Sequence, residues 1–319
     1  MTPAREFLSR YIARTPLVEA PSLNSGRSPE AAGRVFLKLE TELPTGSFKA
    51  RGALYALYVA LERRAAAGQS RHSSSVVASS TGNHGAAVAW AAQRLGVPAT
   101  IFLPRNPNPV KKANIAQFGA FIVEEGRDLS DASRAASRFV DSSGAIFLDD
   151  ATDRDLPQGP ATIADEIVED LPEVDVIFVP VGDTALIRGV GARAKVLKPS
   201  IRIVGVQAER APSYFLSWKS GVVESTETAD TIADGLATRT PDAKNVHDIR
   251  QCVDDMRLVS EASMVAAIDR LYRDEGIVAE PAAASTVAAL LNDGPPDGVT
   301  VLLITGKNVA PDLDPRSRR

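Results

Sequence analysis

Val174-Asp175-Val176-Ile177-Phe178-Val179-Pro180-Val181 is almost continuously apolar, and Gly182-Asp183-Thr184-Ala185-Leu186 follows it directly. A strand with one wet face alternates apolar and polar residues, whereas a strand covered on both faces need not. The run therefore reads as a buried parallel strand ending in a turn before a helix. Outward from it, residues 201–206 and 299–305 read as strands on the C-terminal side. On the N-terminal side, residues 35–40, 75–79, 97–103, 121–123 and 145–148 do the same. Helices are expected from 48 to about 67 with Ser47 as N-cap, over 82–95, and near 111–118.

Strands separated by helices mean βαβ units, hence an α/β protein with mainly parallel twisted sheets. Residues 50–148 hold a set of strands and helices of their own and predict a small α/β domain. Residues 1–49 and 149–319 together predict a larger one, with the tail from Asp312 disordered. A site in such a fold belongs at the carboxyl ends of the strands, in the cleft between the two domains.

Composition narrows the class. The 319 residues suggest about two domains at roughly 150 residues each. Apolar residues at 44% and charged residues at 24% are ordinary globular usage, so a core forms without metal or disulfide staples. One cysteine, Cys252, excludes an intrachain disulfide framework and a multi-cysteine zinc site. A net charge of −4 argues against a nucleic-acid binder. No apolar run approaches the roughly 20 residues that span a bilayer, and the residues after Met1 lack the apolar stretch of a secretory signal. The expectation is a cytoplasmic protein with no membrane or nucleic-acid partner.

Four loops carry chemistry. Pro44-Thr45-Gly46-Ser47-Phe48-Lys49 places a lysine at the start of a helix that is apolar nearly all round. Lysines in helices are usually at the surface. A lysine desolvated near the positive end of a helix is more readily neutral, as an amine nucleophile must be. Ser79-Ser80-Thr81-Gly82-Asn83-His84-Gly85 aims small polar groups and amides at one point, which is either an anion site or a plain cap. The 182–186 loop has the position of a phosphate loop but is poor in glycine. Asp183 would repel a phosphate there unless it is turned away or fixes the loop. Ile304-Thr305-Gly306-Lys307-Asn308 is an ordinary turn, or it presents the Thr305 hydroxyl as a neutral hydrogen-bond partner.

Together, in this order and on this fold, the four loops resemble those of the fold-type-II pyridoxal-phosphate enzymes, the tryptophan-synthase-β superfamily. Within it the likeness is to the serine/threonine dehydratase group, and it covers essentially the whole chain. The resemblance implies that Lys49 carries pyridoxal 5'-phosphate as a Schiff base. It implies that Ser80, Thr81, Gly82, Asn83 and His84 hold the substrate carboxylate, with Asn83 also facing the phenolic oxygen. Gly182, Asp183, Thr184, Ala185 and Leu186 stand at the phosphate loop, and Thr305 at the pyridine nitrogen. Gly235 and Glu280 lie in segments similar to those lining the family's cofactor pocket.

The departures refine the expectation. Ala50 and Asn83-His84 are dehydratase-like, whereas Thr81 and Thr305 are similar to threonine synthase. Thr81 stands where serine racemases place a serine, which argues against racemisation. Gln207 and Ser213 stand where metal-binding members have acidic ligands, which implies no divalent metal. Pro160 replaces a common glutamine, and Arg188 is either a surface arginine or extra charge for an anionic substrate. The length leaves no room for a regulatory domain.

The implied reaction is β-elimination of water from a small β-hydroxy amino acid, L-threonine or L-serine, in a homodimer. Lys49, once displaced by the substrate amine, would remove the α-proton. A neutral Thr305 would leave the pyridine nitrogen largely unprotonated and the electron sink weak. A β-replacement or threonine-synthase-like enzyme of the same fold, or a ligand-binding descendant without activity, are the alternatives.

Overall fold

The computed structural model describes residues 1–24, 33–70, 74–80, 82–107, 109–294 and 296–317. The chain opens with α1 (Pro3–Leu8), β1 (Leu17–Glu19), β2 (Val35–Leu39) and α2 (Lys49–Ala66). Then come β3 (Val76–Ser79), α3 (Asn83–Leu95), β4 (Ala99–Leu103), α4 (Pro109–Ala116), β5 (Phe121–Glu124), α5 (Leu129–Ser143) and β6 (Ile146–Phe147). The next elements are α6 (Gln158–Asp170), β7 (Val176–Pro180), α7 (Ala185–Leu197), β8 (Arg202–Ala208) and α8 (Ser213–Ser220). The last are α9 (Ala243–Cys252), β9 (Asp255–Val259), α10 (Glu261–Glu275), α11 (Pro281–Asp293) and β10 (Thr300–Ile304).

These elements form two compact units, one of Met1–Ile12 with Phe48–Gly159, the other of Ala13–Ser47 with Pro160–Arg319. Among the described residues of the first, four strands pair in the order β5-β4-β3-β6, all parallel. Successive side chains of a strand point to opposite faces. Phe102 meets Ala132, Ala135 and Ala136 of α5. Ile101, its neighbour, lies on the other face, close to Gly85 of α3 and near Ile115 of α4. Both faces are covered, which is why β3 and β4 are apolar without alternation.

The first unit also takes the N-terminal helix, which the sequence places with the larger domain. Phe7 of α1 stacks on Tyr58 of α2 with ring centroids 3.9 Å apart and planes 14° apart. Ring stacking between distant parts of a chain leaves no periodic signal. Ser47, expected as the N-cap of α2, does not cap it: Phe48 holds that place in helical conformation (φ −56, ψ −23), without a side-chain bond. A capping side chain needs extended backbone at the cap. The buried Ser47 hydroxyl has no hydrogen-bond partner.

In the second unit the described strands pair in the order β1-β2-β10-β7-β8-β9, parallel except for β1 against β2. β7 lies inside this sheet with all five residues buried, so its unbroken apolar run has the expected cause. α11 is buried nearly all round and packs its alanines into the same core as Val204, Val206 and Leu302. β1 and β9 are absent from the sequence reading because one is three residues long and the other mixes charge into its pattern. Contrary to the expectation of a disordered tail, residues 310–317 are turned. Leu313 N donates to Ala310 O and Ser317 N to Asp314 O, both at 3.0 Å, and Pro315 is buried.

Candidate active site

In the first unit, α2 begins at Lys49, whose side chain is 17% exposed. Its Nζ bonds the carboxylate of Asp150, in the loop after β6. His84, second residue of α3, is buried; its Nε2 lies 2.9 Å from the Leu148 carbonyl oxygen, and its Nδ1 3.6 Å from Asp150 Oδ1. The loop between β3 and α3 is held closed by Gly82 N donating to Ser80 Oγ at 3.3 Å. A Cβ on Gly85 would stand 2.6 Å from the Ser80 carbonyl oxygen, so this turn requires glycine. A Cβ on Gly82 would meet nothing within 4 Å, and the first turn of α3 carries no acid. That open helix N-terminus suits an anion. Thr81 lies outside the described residues.

In the second unit, the 182–186 loop leads from β7 into α7, whose first turn also lacks an acid. Asp183 is bonded to Thr238, whose Oγ1 donates to Asp183 Oδ1 at 2.8 Å. The carboxylate therefore fixes the loop. A Cβ on Gly182 would stand 2.1 Å from the Gly235 carbonyl oxygen, so two backbones touch there. Thr184 takes φ +69, left-handed and costly for a β-branched residue. Arg188 Nε donates to its Oγ1 at 3.1 Å. Arg188 is therefore not a surface arginine: it is buried behind the loop, with Nη1 3.6 Å from Asp248. Tyr214 lies among Thr184, Asp242 and Asn245, and burial pushes its phenol up.

Thr305 follows β10 at 3% exposure, and Gly306 bridges to Ser47. Glu280 caps α11, donates its amide to Gly306 O at 3.0 Å, and lays its carboxylate where a Gly306 Cβ would be. Gln207 and Ser213 are used internally: Gln207 Oε1 accepts from Phe215 N at 2.9 Å, and Ser213 Oγ donates to Thr238 O at 2.6 Å. Among the described residues, no group of three His, Cys, Asp or Glu could hold a metal, and no helix is long and apolar enough to cross a membrane.

The donors suit pyridoxal phosphate. The first unit holds a half-buried primary amine, the group that condenses with an aldehyde. The second, taken by itself, holds a glycine turn and an acid-free helix N-terminus of the kind that suits a phosphate. Sequence reasoning missed Asp150; two consecutive acids just after a strand, at its carboxyl end, were the available signal.

The chain belongs to the pyridoxal-phosphate dependent enzymes, whose family model matches residues 8–306. Pyridoxal phosphate is its cofactor. It is similar to an L-threonine ammonia-lyase of Thermotoga maritima, 37% identical over 307 residues, covering 96% of this chain and 74% of the relative. Among solved structures it resembles maize serine racemase, with TM-score 0.88 and 28% identity over 96% of this chain and 92% of that one. It also resembles the threonine deaminase isoform 2 of Solanum lycopersicum in its processed form, with TM-score 0.85 and 25% identity over 97% of this chain and 82% of that one.

Proposed function

We propose that this protein is an ammonia-lyase that eliminates water from L-threonine or L-serine, giving a 2-oxo acid and ammonia. The observation that carries the reading is the half-buried Lys49 amine, paired with a carboxylate at the start of α2, in a chain 37% identical to an L-threonine ammonia-lyase. Bound pyridoxal phosphate supplies an electrophilic carbon for the substrate amine and an electron sink for the pair left at Cα.

Lys49 holds the cofactor covalently and, once freed by the substrate amine, takes the α-proton on Nζ. The 80–84 loop holds the substrate carboxylate and so orients the Cα–H bond. His84 contributes its backbone amide there, since its ring is engaged with Leu148 and Asp150. Gly182, Thr184, Ala185 and Leu186 hold the phosphate, and Asp183 keeps their loop in shape. Thr305 is the neutral partner of the pyridine nitrogen, with Asn83, Gly235 and Glu280 beside the ring. A cytoplasmic homodimer is the working form; a solution mass of one chain by light scattering overturns the dimer.

Borohydride reduction should fix pyridoxal at Lys49 in the wild type and nowhere in Lys49→Ala, which should stay folded because alanine favours helices. Release of 2-oxo acid from L-threonine and L-serine is the activity expected of the wild type alone. A labelled lysine elsewhere, or no 2-oxo acid, overturns the reading. Racemisation is the second reading, favoured by the likeness to maize serine racemase. Recovery of D-serine from L-serine would support it.

A further inference from the structure

Asp150 is given no chemical role in the function proposed above, yet it is the carboxylate that Lys49 meets. The other acids of the 149–155 run are occupied locally. Asp149 Oδ1 accepts from the amides of Ala151 and Thr152 at 3.2 and 2.8 Å. Asp153 Oδ1 accepts from those of Asp155 and Leu156 at 2.8 and 3.2 Å. Asp155 pairs with Arg63 at 2.6 Å. Asp150 is the one directed at the amine.

His84 lies beside it. The Leu148 carbonyl can only accept, so the hydrogen on the ring sits at Nε2. Nδ1 is buried, has no hydrogen-bond partner, and faces Asp150 Oδ1 at 3.6 Å. Asp153 acts on the same imidazole, and burial pushes its own carboxyl up. The Phe48 ring lies 5.4 Å from Nζ. Asp150 is thus the carboxylate at the amine, His84 the titratable group beside it, and Asp153 acts on His84 with the Arg63–Asp155 pair beyond.

We propose that Asp150 is the counter-ion of Lys49, a positioning residue that holds the amine and stabilises the charge it gains on taking a proton. This rests on the reading that Lys49 carries the cofactor. In the proton transfer the substrate Cα–H bond breaks, an Nζ–H bond forms, and the electron pair stays on the substrate side. The ammonium so formed lies against a half-buried carboxylate, and an opposite charge within about 4–6 Å favours the charged form. Stabilising the charge formed in that step offsets the weak electron sink expected with a neutral Thr305.

The test uses the holoenzymes of wild type, Asp150→Asn, Asp150→Ser and Asp150→Glu, titrated with pH by the visible absorbance of the bound cofactor. In the two neutral variants the midpoint should fall by about one pH unit or more. In Asp150→Glu it should stay near that of the wild type. With the charge gone, kcat should fall about tenfold with KM little changed, as for an interaction that strengthens only at the transition state. An unmoved midpoint in either folded neutral variant overturns the proposal. A wild type in which borohydride fixes no pyridoxal at Lys49 overturns the functional reading and this one with it. A labelled Lys49 with an unmoved midpoint overturns this one alone.

Discussion

Thr305 follows β10 almost fully buried, with a neutral hydroxyl where the proposed chemistry meets a ring nitrogen. An aspartate in its place would favour a protonated ring, since an adjacent opposite charge favours the charged form. Thr305→Asp should therefore keep cofactor binding, lose elimination, and accumulate a long-wavelength absorbing species with L-serine. Thr305→Ser keeps the hydroxyl and should behave as wild type; spectra recorded during turnover check both. Thr305→Asp indistinguishable from wild type would take Thr305 out of the site. Gly182 offers a second residue test, because its missing side chain leaves only 2.1 Å between an ideal Cβ and the Gly235 oxygen. Gly182→Ala must push two backbones apart and should weaken cofactor binding at least about tenfold, or about 1.4 kcal/mol. Gly235→Ala should cost less, since its Cβ would meet only the Ala282 side chain, at 3.0 Å. Cofactor titration of the two variants compares them directly.

At the scale of elements, β2 and α6 are joined through a buried ionic cluster. Lys38 Nζ is 2.6 Å from Glu166 Oε2 and 2.7 Å from the Thr15 carbonyl oxygen, and Thr15 Oγ1 donates to Glu40 Oε1 at 2.6 Å. Lys38, Glu40 and Glu166 are all buried, so each charge depends on its partners. Lys38→Met alone should destabilise by about 3–5 kcal/mol, because Glu166 would be left buried and uncompensated. Lys38→Met with Glu166→Leu should recover a large part of that loss. Urea midpoints of the single and double variants measure the difference. A near-neutral single substitution would mean that water reaches the pair. In sequence, Lys38 looks like the polar member of a half-exposed strand; only a sheet covered on both faces makes it interior.

Over the whole molecule, Cys252 reports on stability at high pH. It ends α9 against Gly191 of α7, and burial pushes its thiol from 9.0 up to about 11. Between those values the folded chain keeps a proton that the unfolded chain releases. Stability should therefore fall as pH rises from 9 to 11, by up to about 1.4 kcal/mol per pH unit. Cys252→Ala should flatten that slope in denaturant titrations. Thiol reagents should label the wild type at neutral pH only as it unfolds; rapid labelling of the folded protein would contradict the burial.

The α/β class, the run of parallel strands and the loops at their carboxyl ends are legible in the sequence alone. Each rests on neighbours in the chain: an unbroken apolar run at 174–181, a turn after it, small polar residues before a helix at 79–85. What the tertiary structure alone decided is where the charges go. Asp150 meets Lys49 from 101 residues away, Asp183 is turned to Thr238 across 55, and Lys38 reaches Glu166 across 128. The same folding brings α1 onto α2 and draws Arg188 beneath Thr184. Local pattern records which residues leave water, because burial follows the period of each element. It does not record which partner satisfies a buried charge, since that pairing exists only once distant segments have packed.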